Sequence, residues 1–111
     1  MENKDLQIVL DYLNKTLVTN VTVYELASIS PFYDYSIICD ASNMRLAKST
    51  IDKLRDEAII KKLDVISYSK EKESNWFYID LNSVIVHIFL NNARKEFNLD
   101  GLYYDLPRKE Y

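Results

Sequence analysis

Apolar residues recur at helical spacing in the first segment of the chain: Leu6, Val9, Leu10, Leu13 and Leu17 share one side of a helix predicted over about residues 4–17. Such a helix needs an apolar surface to lie on. Two runs rich in β-branched and aromatic residues follow, NVTVYEL at 20–26 and YSIICD at 35–40, and both read as strands. Between them Ser30, Pro31 and Asp34 supply turn chemistry. From about Ser42 to Ile60 the period returns to that of a helix. Ala47, Ile51, Leu54 and Ala58 fall on one face, Lys48, Lys53 and Arg55 lie largely off it, and Ser42 or Asn43 can cap the start.

Three more strand candidates come next, LDVISYS (63–69), NWFYIDL (75–81) and SVIVHIFL (83–90), and a short helix starts near Asn91 or Asn92. A strand, a helix and another strand in succession imply a right-handed crossover onto one sheet. The last two strands are expected to form a hairpin across Asn82 and Ser83, and the run Lys70 to Glu73 reads as a solvated loop between strands. The expected architecture is therefore α/β, a mixed β-sheet of about five strands flanked by helices. No internal repeat or low-complexity tract interrupts it, so residues 1–111 read as one domain: a first helix, a core over about 20–106 and a short C-terminal tail.

Composition narrows the functional classes. Hydrophobic residues make up 48% and charged residues 28% of the 111, a globular balance. A net charge of -3 and a pI near 5.1 argue against a general nucleic-acid binder and for a basic partner. Cys39 is the only cysteine, which excludes an intrachain disulfide and suits a reducing cytosol. No charged leader with an apolar run opens the sequence and no apolar stretch reaches the roughly 20 residues of a membrane helix, so a cytoplasmic protein with no membrane partner is expected.

Little of the usual chemistry has its residues. A zinc site needs three or four ligands, and the chain has one His and one Cys. Phosphate-binding loops need several glycines, and Gly101 is the only one. No metal, cofactor or catalytic residue is therefore expected. Cys39 and His87 could meet as a nucleophilic pair if their strands are neighbours, and Asp34, Asp40 and Asp80 could gather around magnesium in space although they form no pair in sequence.

The segment SNWFYIDLNSVIVHIFLNNARKEF holds the only Trp and the only His. Alternation puts Trp76, Tyr78 and Asp80 on one face and Phe77, Ile79 and Leu81 on the other; in the next strand Val84, Val86 and Ile88 alternate with Ile85, His87 and Phe89. Either the aromatic side is one more core face, with His87 a hydrogen-bonded residue of the sheet, or it is an interface, since Trp and Tyr dominate binding hot spots. Tyr103 and Tyr104, followed by Asp105 and Pro107, make an aromatic and acidic tail open to the same two readings.

From about Asn20 to Leu106 these segments resemble the ribosomal silencing factor family, also called the Iojap family. NVTVYELASISPFYDYSIICDAS is similar to the family's opening block, with Arg45 and Asp52 where the family has an Arg and an Asp. The family's pattern of Trp, Asp, a turn, Val-His-Ile-Phe, Ala-Arg and an aromatic is met by Trp76, Asp80, Val86, His87, Ile88, Phe89, Ala93, Arg94 and Phe97, and Leu99, Leu102 and Tyr103 continue it. Ala41 stands where the family usually has Gly, Asn82-Ser83 replaces Gly-Asp, and Lys70 to Ser74 replaces a Gly-containing loop.

The resemblance implies a nucleotidyltransferase-like fold without known enzyme activity. It implies a protein that binds the large ribosomal subunit through ribosomal protein fourteen, blocks joining of the small subunit and represses translation under nutrient limitation, with no sequence-specific nucleic-acid contact and with homodimers in isolation. On that reading Trp76, Tyr78 and Asp80 are the expected partner contacts or their supports, with His87, Phe89 and Arg94 next. The alternatives are a magnesium-dependent nucleotidyltransferase-like enzyme using Asp34, Asp40 and Asp80, or a homodimeric adaptor in ribosome assembly.

Overall fold

A computed structural model describes residues 3–70 and 73–111. Its elements in chain order are α1 (Lys4–Leu13), β1 (Thr19–Glu25), β2 (Tyr35–Asp40), α2 (Met44–Ile60), β3 (Ser67–Tyr68), β4 (Trp76–Asp80), β5 (Val84–Phe89), α3 (Ala93–Phe97), α4 (Leu99–Leu102) and β6 (Arg108–Glu110). The strands form one six-stranded sheet in the order β3-β4-β5-β2-β1-β6. Only β2 and β5 run parallel, and every other neighbour is antiparallel.

Both faces of this sheet are covered. On one, Leu6, Val9 and Leu13 of α1 and Ala47, Ile51 and Leu54 of α2 pack against Ile37, Cys39, Phe77, Ile79, Val86 and Ile88. On the other, a smaller cluster of Tyr24, Leu26, Ile38, Phe89 and Ala93 gathers Tyr33, Trp76, Leu99, Tyr103 and Leu106 around it. Alternation along each strand divides neighbours between the two layers, so Phe77 goes to the helical core while Trp76 goes to the side that α3 and α4 only partly cover.

The helix starts follow capping chemistry. Asn3 Oδ1 accepts from the Leu6 amide at 3.1 Å, and Asn43 Oδ1 accepts from the Leu46 amide at 2.8 Å, so Asn43 rather than Ser42 is the cap and α2 begins at Met44. The first helix ends at Leu13, not at residue 17. The Thr16 hydroxyl donates to the Leu13 carbonyl at 2.7 Å and turns the chain toward β1, which leaves Leu17 81% exposed.

Two further expectations are corrected, and a third falls partly outside the described residues. The sheet has six strands rather than five, because the supposed C-terminal tail returns as β6 and pairs with β1 through Thr22, Val23 and Tyr24. All three β6 residues are exposed, so no alternating pattern marks the strand. The strand expected over 63–69 contracts to Ser67–Tyr68, since the chain leaves α2 through Lys62 with φ of 63° and Ile66 is exposed. Of the loop expected at Lys70 to Glu73, Glu71 and Lys72 lie outside the described residues.

The closing hairpin is as expected. Asp80 pairs with Ile85, the Leu81 amide donates to the Val84 carbonyl at 2.8 Å, and Asn82 and Ser83 form the two-residue loop. Asn82 has φ of 74°, a conformation that asparagine tolerates better than most residues, so the turn forms without glycine.

Candidate functional site

Beside the small core, β4, β5 and α3 enclose an open groove of about 600 Å³ with a predominantly apolar lining that includes Trp76, Tyr78, His87, Ala93, Glu96 and Phe97. Trp76 is its floor. The indole ring centroid lies 4.7 Å from that of Phe97, 5.2 Å from Phe89 and 5.6 Å from His87, all in tilted arrangements that suit aromatic quadrupoles. Phe89 is sealed at 1% exposure, whereas Phe97 is 54% exposed and stands at the rim.

Register and hydrogen bonding hold this floor still. Tyr78 pairs with His87 across the β4-β5 ladder, and Trp76 pairs with Phe89. The Trp76 amide donates to Ser74 Oγ at 3.0 Å, and the Tyr78 amide donates to Ser69 Oγ at 2.6 Å. The Trp76 indole N–H donates to His87 Nδ1 at 3.0 Å.

That last bond settles the imidazole. An indole N–H can only donate, so Nδ1 carries the lone pair and the ring proton resides on Nε2. Burial pushes the His87 pKa down to about 4, so the ring is neutral at physiological pH.

The six expected contact residues divide. Trp76, Tyr78 and His87 share the groove. Phe89 lies beneath it as core. Asp80, 9% exposed, accepts from the Tyr33 hydroxyl at 2.5 Å and from the Asn82 amide at 3.0 Å, so it braces the hairpin turn and the loop before β2.

Arg94 is an internal clamp. Its Nε donates to Asp100 Oδ2 at 2.9 Å and Nη2 to Asp100 Oδ1 at 3.1 Å, a forked pair; Nη1 reaches the Asn20 carbonyl at 2.6 Å and Nη2 also reaches Thr22 Oγ1 at 3.0 Å. Asp40 adds a longer contact at 3.4 Å. The clamp ties α3 and α4 to β1 and β2 and thereby positions Phe97. Burial pushes the Asp100 carboxyl up, but hydrogen bonds from Arg94 and Tyr24 outweigh it and hold the group below its ordinary value.

Phe97 and Glu96 are among the groove residues that the sequence did not single out as contacts. The available signal was Phe97 four residues after the apolar Ala93, which places both on one side of a helix.

The catalytic alternatives lose their geometry. Cys39 and His87 do sit on adjacent strands, but Cys39 faces the helical core and its thiol reaches the His87 main-chain carbonyl rather than the ring, while the imidazole faces the opposite side. Burial pushes the Cys39 thiol up to about 12. Asp40 and Asp80 occupy opposite ends of the sheet: Asp40 is level with Phe89 and Asp80 with Ile85, four residues or roughly 13 Å apart along β5. Among the described residues no group of three or more His, Cys, Asp or Glu side chains is placed to hold a metal ion. Nor, among them, is any helix long and apolar enough to cross a membrane.

Comparison with known proteins agrees with the pattern read from the residues. The whole chain, residues 1–111, matches the family model described as "Ribosomal silencing factor during starvation". The ribosomal silencing factor of Bacillus subtilis is 26% identical over 88 residues, covering 79% of this chain and 75% of the relative. That of Halalkalibacterium halodurans is 24% identical over 111 residues, covering 99% and 95%. A solved structure from Chromobacterium violaceum superposes with a TM-score of 0.85 at 14% identity, over 94% of this chain and 88% of that one. One from Bacillus halodurans superposes with a TM-score of 0.82 at 23% identity, over 98% and 100%. At those identities the two structures establish the fold, and the full-length family match establishes more: the chain belongs to the ribosomal silencing factor family.

Proposed function

We propose that this protein docks on the large ribosomal subunit through ribosomal protein fourteen. Bound there, it occupies the surface on which the small subunit joins, and translation initiation falls when nutrients are limiting. Family membership supplies the ribosome as partner. The observation that carries the docking surface is the groove of Trp76, Tyr78 and Phe97, in which large aromatic rings are held rigid from behind yet remain partly open to solvent. Rigid aromatic anchors bind at low entropic cost and account for much of the energy of protein interfaces. The net charge of -3 suits a basic ribosomal protein. Steric exclusion requires no bond to be made or broken, and the protein acts in the cytoplasm with the ribosomes.

Co-sedimentation with separated large and small subunits, followed by light scattering during subunit joining, tests this. The wild type binds the large subunit alone and suppresses joining. Trp76→Ala weakens binding by about 30-fold, the effect of losing a hot-spot anchor worth roughly 2 kcal/mol, while a cooperative melt persists. Undiminished binding and suppression by a folded Trp76→Ala variant contradicts the docking surface. In isolation the protein forms a homodimer, and if pairing and docking share this groove, a dilution series shows self-association competing with subunit binding.

A further inference from the structure

One polar group in the groove has a direction and, among the described residues, no partner. With its Nδ1 occupied by the Trp76 indole, His87 presents Nε2–H, and none of the hydrogen bonds among the described residues uses it. Among the described residues the buried side-chain polar atoms lacking a partner are Ser36 Oγ and Thr50 Oγ1, and Nε2 is not one of them, because it opens onto the groove. His87 itself is only 8% exposed and locked between Trp76 and the β5 backbone, so the donor points one way. At the rim, the exposed Glu96 carboxylate makes no ion pair among the described residues.

Resting on the docking reading above, we propose that His87 is a specificity-determining residue of the groove, whose Nε2–H reads a main-chain carbonyl in the docking segment of a basic protein. The occupant presents an apolar side chain to the wall of Trp76 and Phe97, a carbonyl not engaged in its own secondary structure to Nε2–H, and a Lys or Arg beside it to Glu96. Each part answers a group present in the groove.

Discrimination comes from the burial itself. In the free protein, water satisfies Nε2–H. Once an occupant covers the groove that water leaves, and a segment without an acceptor strands a buried donor, which weakens binding by about tenfold or more. An apolar cleft without the histidine discriminates far less between segments of similar shape. Trp76 therefore acts twice, as the apolar floor and as the group that forces the ring proton to the groove side.

Two substitutions separate the two ring nitrogens. In His87→Asn the side-chain oxygen takes the place of Nδ1 and still accepts from Trp76, but nothing replaces Nε2–H. In His87→Gln the longer side chain carries an amide N–H to the Nε2 position. With full-length protein and purified large subunits, we expect His87→Asn to bind about tenfold more weakly and His87→Gln to recover most of that loss. In the free wild-type protein, long-range nitrogen–proton NMR of the ring should show the proton on Nε2, a readout that needs neither a partner nor a variant. A ring proton on Nδ1 overturns the inference. So does wild-type binding by His87→Asn, and in that case Trp76→Ala distinguishes the failures: if it binds poorly the docking surface stands without the donor, and if it binds normally the docking surface falls as well.

Discussion

The buried, neutral imidazole makes a quantitative prediction about acid stability. His87 is the only histidine, and burial holds its pKa at about 4 in the folded protein against 6.5 for the exposed ring. Between those values the unfolded chain binds a proton that the folded chain does not, so stability rises with pH across this window and falls as the solution is acidified from about pH 6.5 toward pH 4. Well above pH 6.5 both states are neutral at this site and it contributes no slope. Evaluated at about pH 4.5, the difference in proton binding removes roughly 2 to 3 kcal/mol relative to neutral pH.

That is a large share of the stability of a chain this size. Urea denaturation of the wild type and of His87→Asn at about pH 7.5 and about pH 4.5 isolates it. Groups such as Asp100, whose folded pKa is depressed, also lose stabilisation on acidification, but they do so in both proteins and cancel in the comparison. The wild type should lose roughly 2 to 3 kcal/mol more than the variant between the two conditions. Parallel losses would mean that the ring protonates freely in the folded state, and the fixed tautomer would go with it.

Arg94→Lys keeps the charge but cannot form the forked pair with Asp100 while reaching the Asn20 carbonyl and Thr22. We expect it to cost roughly 2 to 4 kcal/mol in urea denaturation, and a loss below about 0.5 kcal/mol contradicts the clamp. Cys39, fully buried with its thiol pushed up to about 12, should resist alkylation in the native protein at mildly alkaline pH and react only once urea unfolds the chain; rapid labelling of the native state is the contrary result. Removing residues 107–111 takes away an exposed strand that bonds only β1. We expect a melting point lower by roughly 5 °C together with increased self-association through the bared β1 edge, and light scattering unchanged by the truncation argues against that edge being guarded by β6.

What was legible in the sequence was whatever obeys a local period. Leu6, Val9, Leu10 and Leu13 mark the buried face of α1, and Ala47, Ile51, Leu54 and Ala58 that of α2. Alternation from Trp76 to Leu81 and from Val84 to Phe89 assigned the residues of the closing hairpin to the two faces, because successive side chains of a strand must point opposite ways. The resemblance that carried the family was likewise a matter of residues at fixed spacing, from Trp76 to Phe97.

Arg94 shows where that kind of reading stops. Its partners Asn20 and Thr22 lie more than seventy residues away, and they become neighbours only because β2 sits between β5 and β1 in the sheet. The same strand order put Cys39 next to His87 in space yet on the other face, and it separated Asp40 from Asp80 by the length of the sheet. β6 escaped notice because a short strand exposed on all its residues carries no alternation, and Leu17 misled because a hydroxyl cap at Thr16, not apolar spacing, ended the helix.

Local chemistry thus determined the elements, their buried faces and the candidate segment. Tertiary structure alone decided which of its residues share a groove. Burial and partner choice depend on strand order and on what covers each face, and these long-range pairings left Trp76, Tyr78 and His87 in an open groove while drawing Asp80, Phe89 and Arg94 into the support behind it.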